Sequence, residues 1–304
     1  MAIFQFLGSL CGYVLWACFL LVKNFGISII IFTILFKILS IPLTIKQQKS
    51  MAVTQRLSGK QQAIREKYAN NKVKMNEELQ KLYEKENTSP MSGCLVSFLP
   101  LLLMMGIFYS VAYPLSNTLH INTETVNQAV KYVTTIPGYS SNSGLYSQIE
   151  FIKIFPNVQS TAEIQGLFSA AEMSRITEFS KSFNFLGLDL LQSPNANGLS
   201  PLLLIPILCL VTSIGSQIIL TKLQGTQTQG CMSIMLYAFP LFTAYIAYTV
   251  PAAVGLYWIV STVFTAASSI IMQRWYSAQI LGAKAEAQRI ALLEINEAKV
   301  ERIK

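Results

Sequence analysis

Five blocks of about twenty apolar residues constrain this chain more than any other feature. Each block is nearly or fully free of charge. Twenty residues of α-helix, at a rise of 1.5 Å each, span the roughly 30 Å hydrocarbon core of a bilayer, and in that core a single segment satisfies its backbone polar groups only as a helix. The sequence therefore predicts an all-α integral membrane protein with five transmembrane helices, at residues 25–45, 92–114, 199–222, 231–250 and 252–273.

A sixth apolar stretch, residues 3–22, precedes the first predicted span. Only Lys23, Asn24 and Phe25 separate it from Gly26, where the next apolar run begins, and that is a very short turn between antiparallel membrane helices. The stretch has no signal-peptide cleavage site of small residues, and Leu10 precedes Cys11 where a lipoprotein cleavage site needs a small residue. We therefore expect residues 1–24 to form an N-terminal helix lying in the membrane interface, with an uncleaved first span as the alternative.

Charge is distributed unevenly among the connecting segments. Residues 46–91 carry ten basic and five acidic residues and residues 274–304 carry six and four, whereas residues 115–198 carry four and six. Because basic residues concentrate in cytoplasmic loops, the 46–91 segment, the 223–230 loop and the 274–304 tail are predicted to be cytoplasmic. Residues 115–198, called the cap below, are then extracytoplasmic. Their helical patches are broken by a Gly/Ser/Asn run, which predicts a small, loosely packed helical cap.

The 46–91 segment has apolar residues at helical spacing on both sides of a polar turn at residues 69–72. A short turn between two helices with one apolar seam each predicts an antiparallel helical hairpin. The hairpin is either a solvated connector or a docking arm for a cytoplasmic partner. Its candidate docking residues are the basic side chains Lys49, Arg56, Lys60, Arg65 and Lys67.

Lys37 is the lone charge in the interior of the predicted spans, since Lys222 stands at the very end of its span. Eight residues, or about 12 Å, separate it from the end of its span at Ile45, which is more than a lysine stem covers comfortably. A lysine at the centre of a membrane helix costs on the order of 3 kcal/mol. No carboxylate lies at comparable depth, so the ammonium needs water and neutral polar groups. We predict a hydrated groove lined by Lys37, Thr212, Ser213, Ser216, Gln217, Tyr245, Tyr248, Trp258, Ser261 and Thr262.

Several classes of chemistry are disfavoured by what the sequence contains. The single histidine and the five cysteines, which lie in or beside apolar segments, argue against a metal site or a disulfide framework. The spans offer no nucleophile–base pair, and the chain has no GxxxxGK[ST] phosphate loop. We therefore expect no enzyme activity, no cofactor and no direct DNA binding. Two alternatives remain for the function of this chain besides a role of the polar groove. It could be a small-solute transporter or channel subunit, or it could be a membrane scaffold.

Four motifs follow one another along the chain. The first comprises Phe25–Ile31, Lys37, Pro42–Thr44 and Lys46–Met51, and the others are Ser89–Cys94, Phe183–Leu190 and Leu256–Ser261. In this order they resemble the motifs of the YidC/Oxa/Albino-type membrane protein insertase family, and the resemblance covers about residues 25–273, apart from 119–182. The chain departs from the family pattern at Val96, Pro100, Ala253 and Thr262.

The resemblance implies a five-helix insertase core around a polar groove that opens to the cytoplasm, with an interfacial N-terminal helix. The family's groove charge is usually arginine, and Lys37 occupies that position. Lysine lacks the bidentate fork of arginine, so it implies a generic attraction for polar groups. Implied partners are nascent membrane proteins and lipid, and the Sec translocon, the signal recognition particle receptor and the ribosome are candidates. The implied location is the bacterial plasma membrane, multi-pass, with a cytoplasmic C-terminus.

Overall fold

The computed structural model describes residues 2–85, 105–106, 108–136, 146–224 and 231–301, and nearly all of its regular structure is helical. The prediction of an all-α membrane protein is confirmed. In chain order the helices are α1 Ala2–Val22, α2 Phe25–Leu39, α3 Ile41–Lys67, α4 Lys72–Lys85, α5 Thr123–Val133, α6 Ser147–Val158, α7 Ala162–Leu167, α8 Ala170–Lys181, α9 Leu204–Gln224, α10 Cys231–Thr249, α11 Ala252–Tyr276 and α12 Ala278–Glu301. The short elements are a π-helix at Pro114–Thr118, strands β1 Asn184–Phe185 and β2 Leu188–Asp189, and 3₁₀ turns at Pro194–Asn197 and Pro201–Leu203.

Three helices in the described part of the chain are long and apolar enough to cross a membrane, in the stretches Gln5–Val22, Pro201–Leu223 and Ala252–Ile295. A fourth candidate arises if α2 and Ile41–Lys49 count as one broken span. Most of the predicted second span falls outside the described residues. The predicted count of five spans therefore stays a prediction. The interfacial position of α1 also stays a prediction, and α1 is long and apolar enough to cross a membrane.

The predicted first span is divided between two helices at Ser40. Helix α2 ends at Leu39 and α3 begins at Ile41, with Pro42 in its first turn. A proline has no N–H to donate to the carbonyl four residues earlier, and its ring crowds that carbonyl. The residues before it therefore cannot continue a regular helix into α3. This physical reason is visible in the sequence, although the apolar pattern runs through it.

The chain forms two compact units. The first comprises residues from 1–39, 101–219 and 227–266, and the second comprises residues from 40–100, 220–226 and 267–304. In the second unit α3 packs against both α4 and α12, and Leu57 of α3 is buried. Gln273 ties this unit together: its side chain accepts a hydrogen bond from Gln48 Nε2 at 3.0 Å and donates one to the Leu223 carbonyl at 2.7 Å.

In the first unit the helices of the cap contribute fully buried side chains to a hydrophobic core that they share with α1 and α2, so the expectation of a loosely packed cap is wrong. Fully buried side chains from α5 to α8 meet there, among them Ile149, Ile152, Phe155, Ile164 and Ile176. The apolar residues of these amphipathic helices are too dispersed along the sequence to reveal how well they fit together. Their burial gives the cap a defined shape that can position the helices attached to it.

An aromatic cluster joins the cap to the two N-terminal helices. The ring of Phe179 in α8 makes edge-on contacts with Phe19 of α1 and Phe25 of α2, with centroids 5.2 and 5.0 Å away. Phe25 also lies 4.5 Å from the ring of Phe183. Lys23, at the turn between α1 and α2, pairs with Glu178 of α8 at 3.0 Å. The cap therefore holds the short turn between α1 and α2 in place.

Helix α1 packs so closely on the π-helix that two of its glycines are required. A Cβ on Gly12 would collide with the carbonyl of Asn117, and one on Gly8 would lie 2.9 Å from Nδ2 of Asn117 and 2.8 Å from Cβ of Tyr109, which precedes the π-helix. Small residues allow this close approach of two backbones, as they do between membrane helices. The opposite face of α1 is apolar and exposed, at Phe6, Leu10 and Tyr13.

Candidate functional site: a lysine between apolar helices

The start of α2 is fixed by hydrogen bonds to residues 182–192, called the anchor segment below. The backbone N–H of Phe25 donates to the Ser182 carbonyl at 2.9 Å, and Asn24 Nδ2 donates to the Asn184 carbonyl at 2.7 Å. Asn24 also caps the helix, because its Oδ1 accepts the N–H of Ile27 at 3.1 Å. The first N–H groups of an α-helix have no acceptor within the helix. At the start of α2 the anchor segment and the Asn24 side chain supply these acceptors.

The anchor segment also holds the start of α11. The N–H groups of Ala252 and Ala253 donate to the carbonyls of Gln192 and Leu190, at 2.9 and 3.1 Å. The segment can turn between its two strands because Leu186 and Gly187 both have positive φ, 51° and 79°, as a two-residue hairpin of this kind requires. One short piece of chain thus sets the starting positions of two helices that are far apart in sequence.

These two starting positions bring Lys37 and Thr265 to the same depth. Lys37 lies twelve residues beyond Phe25, and Thr265 lies twelve residues beyond Ala253. At 1.5 Å per residue, each is about 18 Å along its helix from the anchor segment. The Lys37 Nζ accordingly donates a hydrogen bond to Thr265 Oγ1 at 2.9 Å. The contact follows from the common origin of the two helices.

The Lys37 ammonium has little compensation for its charge in the part of the chain that the structure describes. The side chain is half-buried, and Thr265 is its hydrogen-bond partner there. The Thr265 hydroxyl in turn donates to the Ser261 carbonyl at 2.7 Å, which orients its lone pairs toward Lys37. No described carboxylate pairs with the lysine. Since an ammonium has three donors, it retains capacity to bind water or a polar group of another molecule.

The predicted groove residues differ in their surroundings. Ser216 and Ser261 are buried, and Thr212 donates to the Leu208 carbonyl in its own helix at 2.7 Å. Tyr245 and Tyr248 are 65% and 39% exposed. Four further residues are half-buried, namely Ser213, Gln217, Trp258 and Thr262. None of the described side chains in this set bonds directly to Lys37, so their role as a lining stays a prediction.

Thr265 is the residue that the sequence reasoning missed. It follows Ser261 by four residues and precedes Ser268 by three, so all three lie on one face of α11. That spacing was available as a signal. The spacing alone could not show that Thr265, and not Thr262, accepts the hydrogen bond from Lys37, because this depends on the rotation of α11 relative to α2.

The predicted docking residues all lie in α3. The side chains of Lys49, Lys60, Arg65 and Lys67 are exposed, and nothing is described of the Arg56 side chain. Two of the lysines lie over aromatic rings: Lys49 is 5.4 Å from the ring centroid of Tyr276 and Lys67 is 5.4 Å from that of Tyr68. Aromatic contacts of this kind add modest stability at an exposed site and leave the charge accessible to a partner.

The helices and the half-buried lysine define a multi-pass α-helical membrane protein with a charged site between its helices. Residues 17–279 match the family model described as "60Kd inner membrane protein", and the chain belongs to that family. It is a protein of the bacterial inner membrane.

Several curated relatives are named "Membrane protein insertase YidC". The relative from Fusobacterium nucleatum subsp. nucleatum is 28% identical over 241 residues, which is 79% of this chain and 82% of the relative. The relative from Caldanaerobacter subterraneus subsp. tengcongensis is 26% identical over 254 residues, or 83% and 87% of the two chains. A relative from Geobacter metallireducens is 40% identical over a shorter stretch of 90 residues, which is 30% of this chain and 16% of the relative.

Proposed function

We propose that this chain is a membrane protein insertase that receives nascent membrane proteins at a polar groove containing Lys37. Membership of the 60Kd inner membrane protein family and the names of its relatives support the activity. The observation that carries the mechanism is the half-buried Lys37 ammonium, which has one neutral partner and no described carboxylate. Such a charge lowers the free energy of bringing a client's polar segment part-way into the membrane, because both are solvated in the same groove.

The energy for insertion comes from the client itself. As its apolar segment passes from water into lipid, each Å² of buried apolar surface contributes about 25 cal/mol. The groove supplies only a path for the polar flank, so neither nucleotide hydrolysis nor a catalytic residue is part of the mechanism. Thr212, Ser213, Ser216, Gln217, Tyr245, Tyr248, Trp258, Ser261 and Thr262 are proposed to line the path, together with Thr265.

The proposed topology places α3, α4 and the tail in the cytoplasm and the cap outside, in keeping with the excess of basic residues in the former. The exposed basic residues of α3 then face incoming clients or the machinery that delivers them, of which the Sec translocon, the signal recognition particle receptor and the ribosome are candidates. The tail has a modest basic excess, which supports at most a weak electrostatic contact with ribosomal RNA.

The test is complementation of cells depleted of their own insertase, with insertion of a single-span client as the readout. Lys37→Leu should reduce insertion severalfold, because it removes the charge that holds water in the groove, and Lys37→Arg should retain it. Lys222→Leu is the matched control, since Lys222 is an exposed lysine at the end of α9. Insertion by Lys37→Leu equal to wild type, at equal protein level, would exclude the groove mechanism. Solute flux in liposomes without an effect on clients would favour a transporter.

A further inference from the structure

A polar cavity of about 310 Å³ lies in the first unit, away from Lys37. It is bounded by α1, by the π-helix with Tyr113 before it, and by α5 and α6. Its volume falls at the lower end of the range of small-ligand sites, which is about 300–1,000 Å³. The lining residues are Gln5, Phe6, Ser9, Tyr113, Ser116, Asn117, Thr123, Asn127 and Gln148.

Hydrogen bonds within the protein hold one wall of the cavity in a fixed position. Gln148 is buried, and its Oε1 accepts the N–H groups of Leu115 and Ser116 at 3.0 and 3.1 Å. Its Nε2 donates to Ser116 Oγ at 2.6 Å. Asn117 is also buried and donates to the Tyr109 carbonyl at 3.0 Å. These bonds fix the π-helix against α6, so the cavity keeps its shape without a ligand.

The other walls present polar groups that are available for binding. These groups are the side-chain amides and hydroxyls of Gln5, Ser9, Thr123 and Asn127. They have no hydrogen-bond partner among the residues that the structure describes. Among the described residues that line the cavity, none is charged. A ligand carrying a net charge would lose hydration there without gaining a counter-charge, which is costly. The lining therefore favours an uncharged ligand with several hydroxyl groups.

The cavity continues into the apolar exposed face of α1. Phe6 lines the cavity and is 70% exposed, and Leu10 and Tyr13 follow it at the i+4 and i+7 positions of the same face. A ligand that places hydroxyls in the cavity can lay a hydrocarbon chain along this face. The rings of Phe6 and Tyr113 offer apolar surfaces to the C–H faces of a sugar.

We propose that this cavity binds the headgroup of a membrane lipid whose headgroup is uncharged and rich in hydroxyls, such as a glycosyl diacylglycerol, with its acyl chains against α1. The site is separate from the Lys37 groove and does not depend on insertase activity. Its polar wall gives selectivity among lipids, and the apolar face of α1 gives affinity. The bound lipid would cover the exposed face of α1 at the membrane interface.

The test is native mass spectrometry of the purified full-length chain with glucosyl diacylglycerol, phosphatidylglycerol or phosphatidylethanolamine. We expect preferential retention of the glycolipid. Asn127→Leu should weaken retention about tenfold, as expected for the loss of polar contacts, and Ser9→Leu should do the same from the opposite wall. Gln128→Leu is the matched control, because Gln128 is an exposed amide on the same helix outside the cavity.

Three outcomes would overturn the proposal. The first is equal or stronger retention of either phospholipid. The second is unchanged glycolipid retention in both cavity variants, measured on protein whose thermal unfolding temperature matches that of Gln128→Leu. The third concerns the source of the ligand: if methyl glucoside or an uncharged peptide displaces the glycolipid with comparable affinity, the cavity binds a soluble saccharide or a client chain and the lipid assignment is wrong.

Discussion

Lys37 and Thr265 lie at equal distances along two helices that start from the same anchor segment, and their side chains meet at 2.9 Å. The two residues are 228 positions apart in sequence. A hydroxyl that already donates to the Ser261 carbonyl offers the ammonium a lone pair without bringing a negative charge. The hydrogen bond thus orients the lysine without neutralising its charge, as the proposed site for polar client segments requires.

The first prediction concerns this hydrogen bond. Thr265→Val keeps the shape of the side chain and removes the acceptor, so it should lower stability by about 1.5–3 kcal/mol, the value of a hydrogen bond to a charged group, and reduce client insertion. Thr265→Ser should resemble wild type. Thr249→Val is the control, because Thr249 makes the same kind of bond to its own helix but is exposed.

A double-mutant cycle measures whether the effect of Thr265 passes through Lys37. In a Lys37→Leu background, Thr265→Val should lose most of its effect on the thermal unfolding temperature in detergent, since the charge that needed the hydroxyl is gone. Additive effects of the two substitutions would mean that Thr265 supports the helix independently of the lysine.

The second prediction concerns the close approach of α1 to the π-helix. Gly12→Ala places a methyl group on the Asn117 carbonyl, so one of the two backbones must move, and we expect a loss of about 1–3 kcal/mol of stability. Gly59→Ala is the control: it lies within α3, no atom lies within 4 Å of the position that its Cβ would take, and it should stabilise by about 0.5–1 kcal/mol. Thermal unfolding of the two variants decides the matter, and an unchanged midpoint for Gly12→Ala would contradict the packing.

The third prediction concerns the capping box at the start of α8. Ser169 Oγ accepts the N–H of Glu172, and the Glu172 carboxylate accepts hydrogen bonds from the N–H and hydroxyl of Ser169 at 2.9 and 2.7 Å. Ser169→Ala should cost about 1 kcal/mol of cap stability, measured by hydrogen exchange of α8. Ser174→Ala, at an exposed position of the same helix, should leave the exchange unchanged.

The same hydrogen bonds lower the pKa of Glu172 below its ordinary value. The stability they supply is therefore present above the ordinary pKa and is lost as the pH falls through the folded-state value. Protection of α8 in wild type should decline on acidification below about pH 4.5, and the decline should be smaller in Ser169→Ala. An equal decline in both proteins would assign the acid sensitivity to other carboxylates.

The fourth prediction concerns His120, the only histidine in the chain. Its ring stacks on Tyr13 with centroids 3.6 Å apart, and its backbone has a φ of 52°. Burial lowers the pKa of His120 below its ordinary value, and the charge of Arg175 lowers it further. The neutral form is therefore the one that the fold accommodates, so stability should fall as the pH drops through about 6.5.

His120→Asn tests this, because asparagine adopts positive φ readily and does not titrate. Between pH 7.5 and 5.5 the unfolding temperature of wild type should fall more than that of His120→Asn. Since no other histidine is present, the difference between the two proteins belongs to this side chain. Parallel curves would show that protonation of His120 has no effect on the contact between α1 and the cap.

The sequence predicts the parts of this molecule that follow from local patterns. The apolar blocks identify membrane helices, the turn at residues 69–72 separates α3 from α4, and the isolated charge of Lys37 points to the candidate site. The partner of Lys37 could not be predicted, because it depends on where two helices begin in space. The cap core was missed for a related reason: its buried residues come from four short helices, and their fit is a tertiary property.

The anchor segment has a consequence for how this protein can vary. The depth of the lysine is a count of residues from a shared origin, so one residue removed from α2 between Phe25 and Lys37 would shift the ammonium by about 1.5 Å and swing it about 100° around the helix axis. Changes in the cap that leave residues 182–192 intact carry no such penalty. The parts of the cap that contact neither α1 nor α2 can therefore vary without moving the lysine, whereas the number of residues between the anchor segment and Lys37 must stay the same.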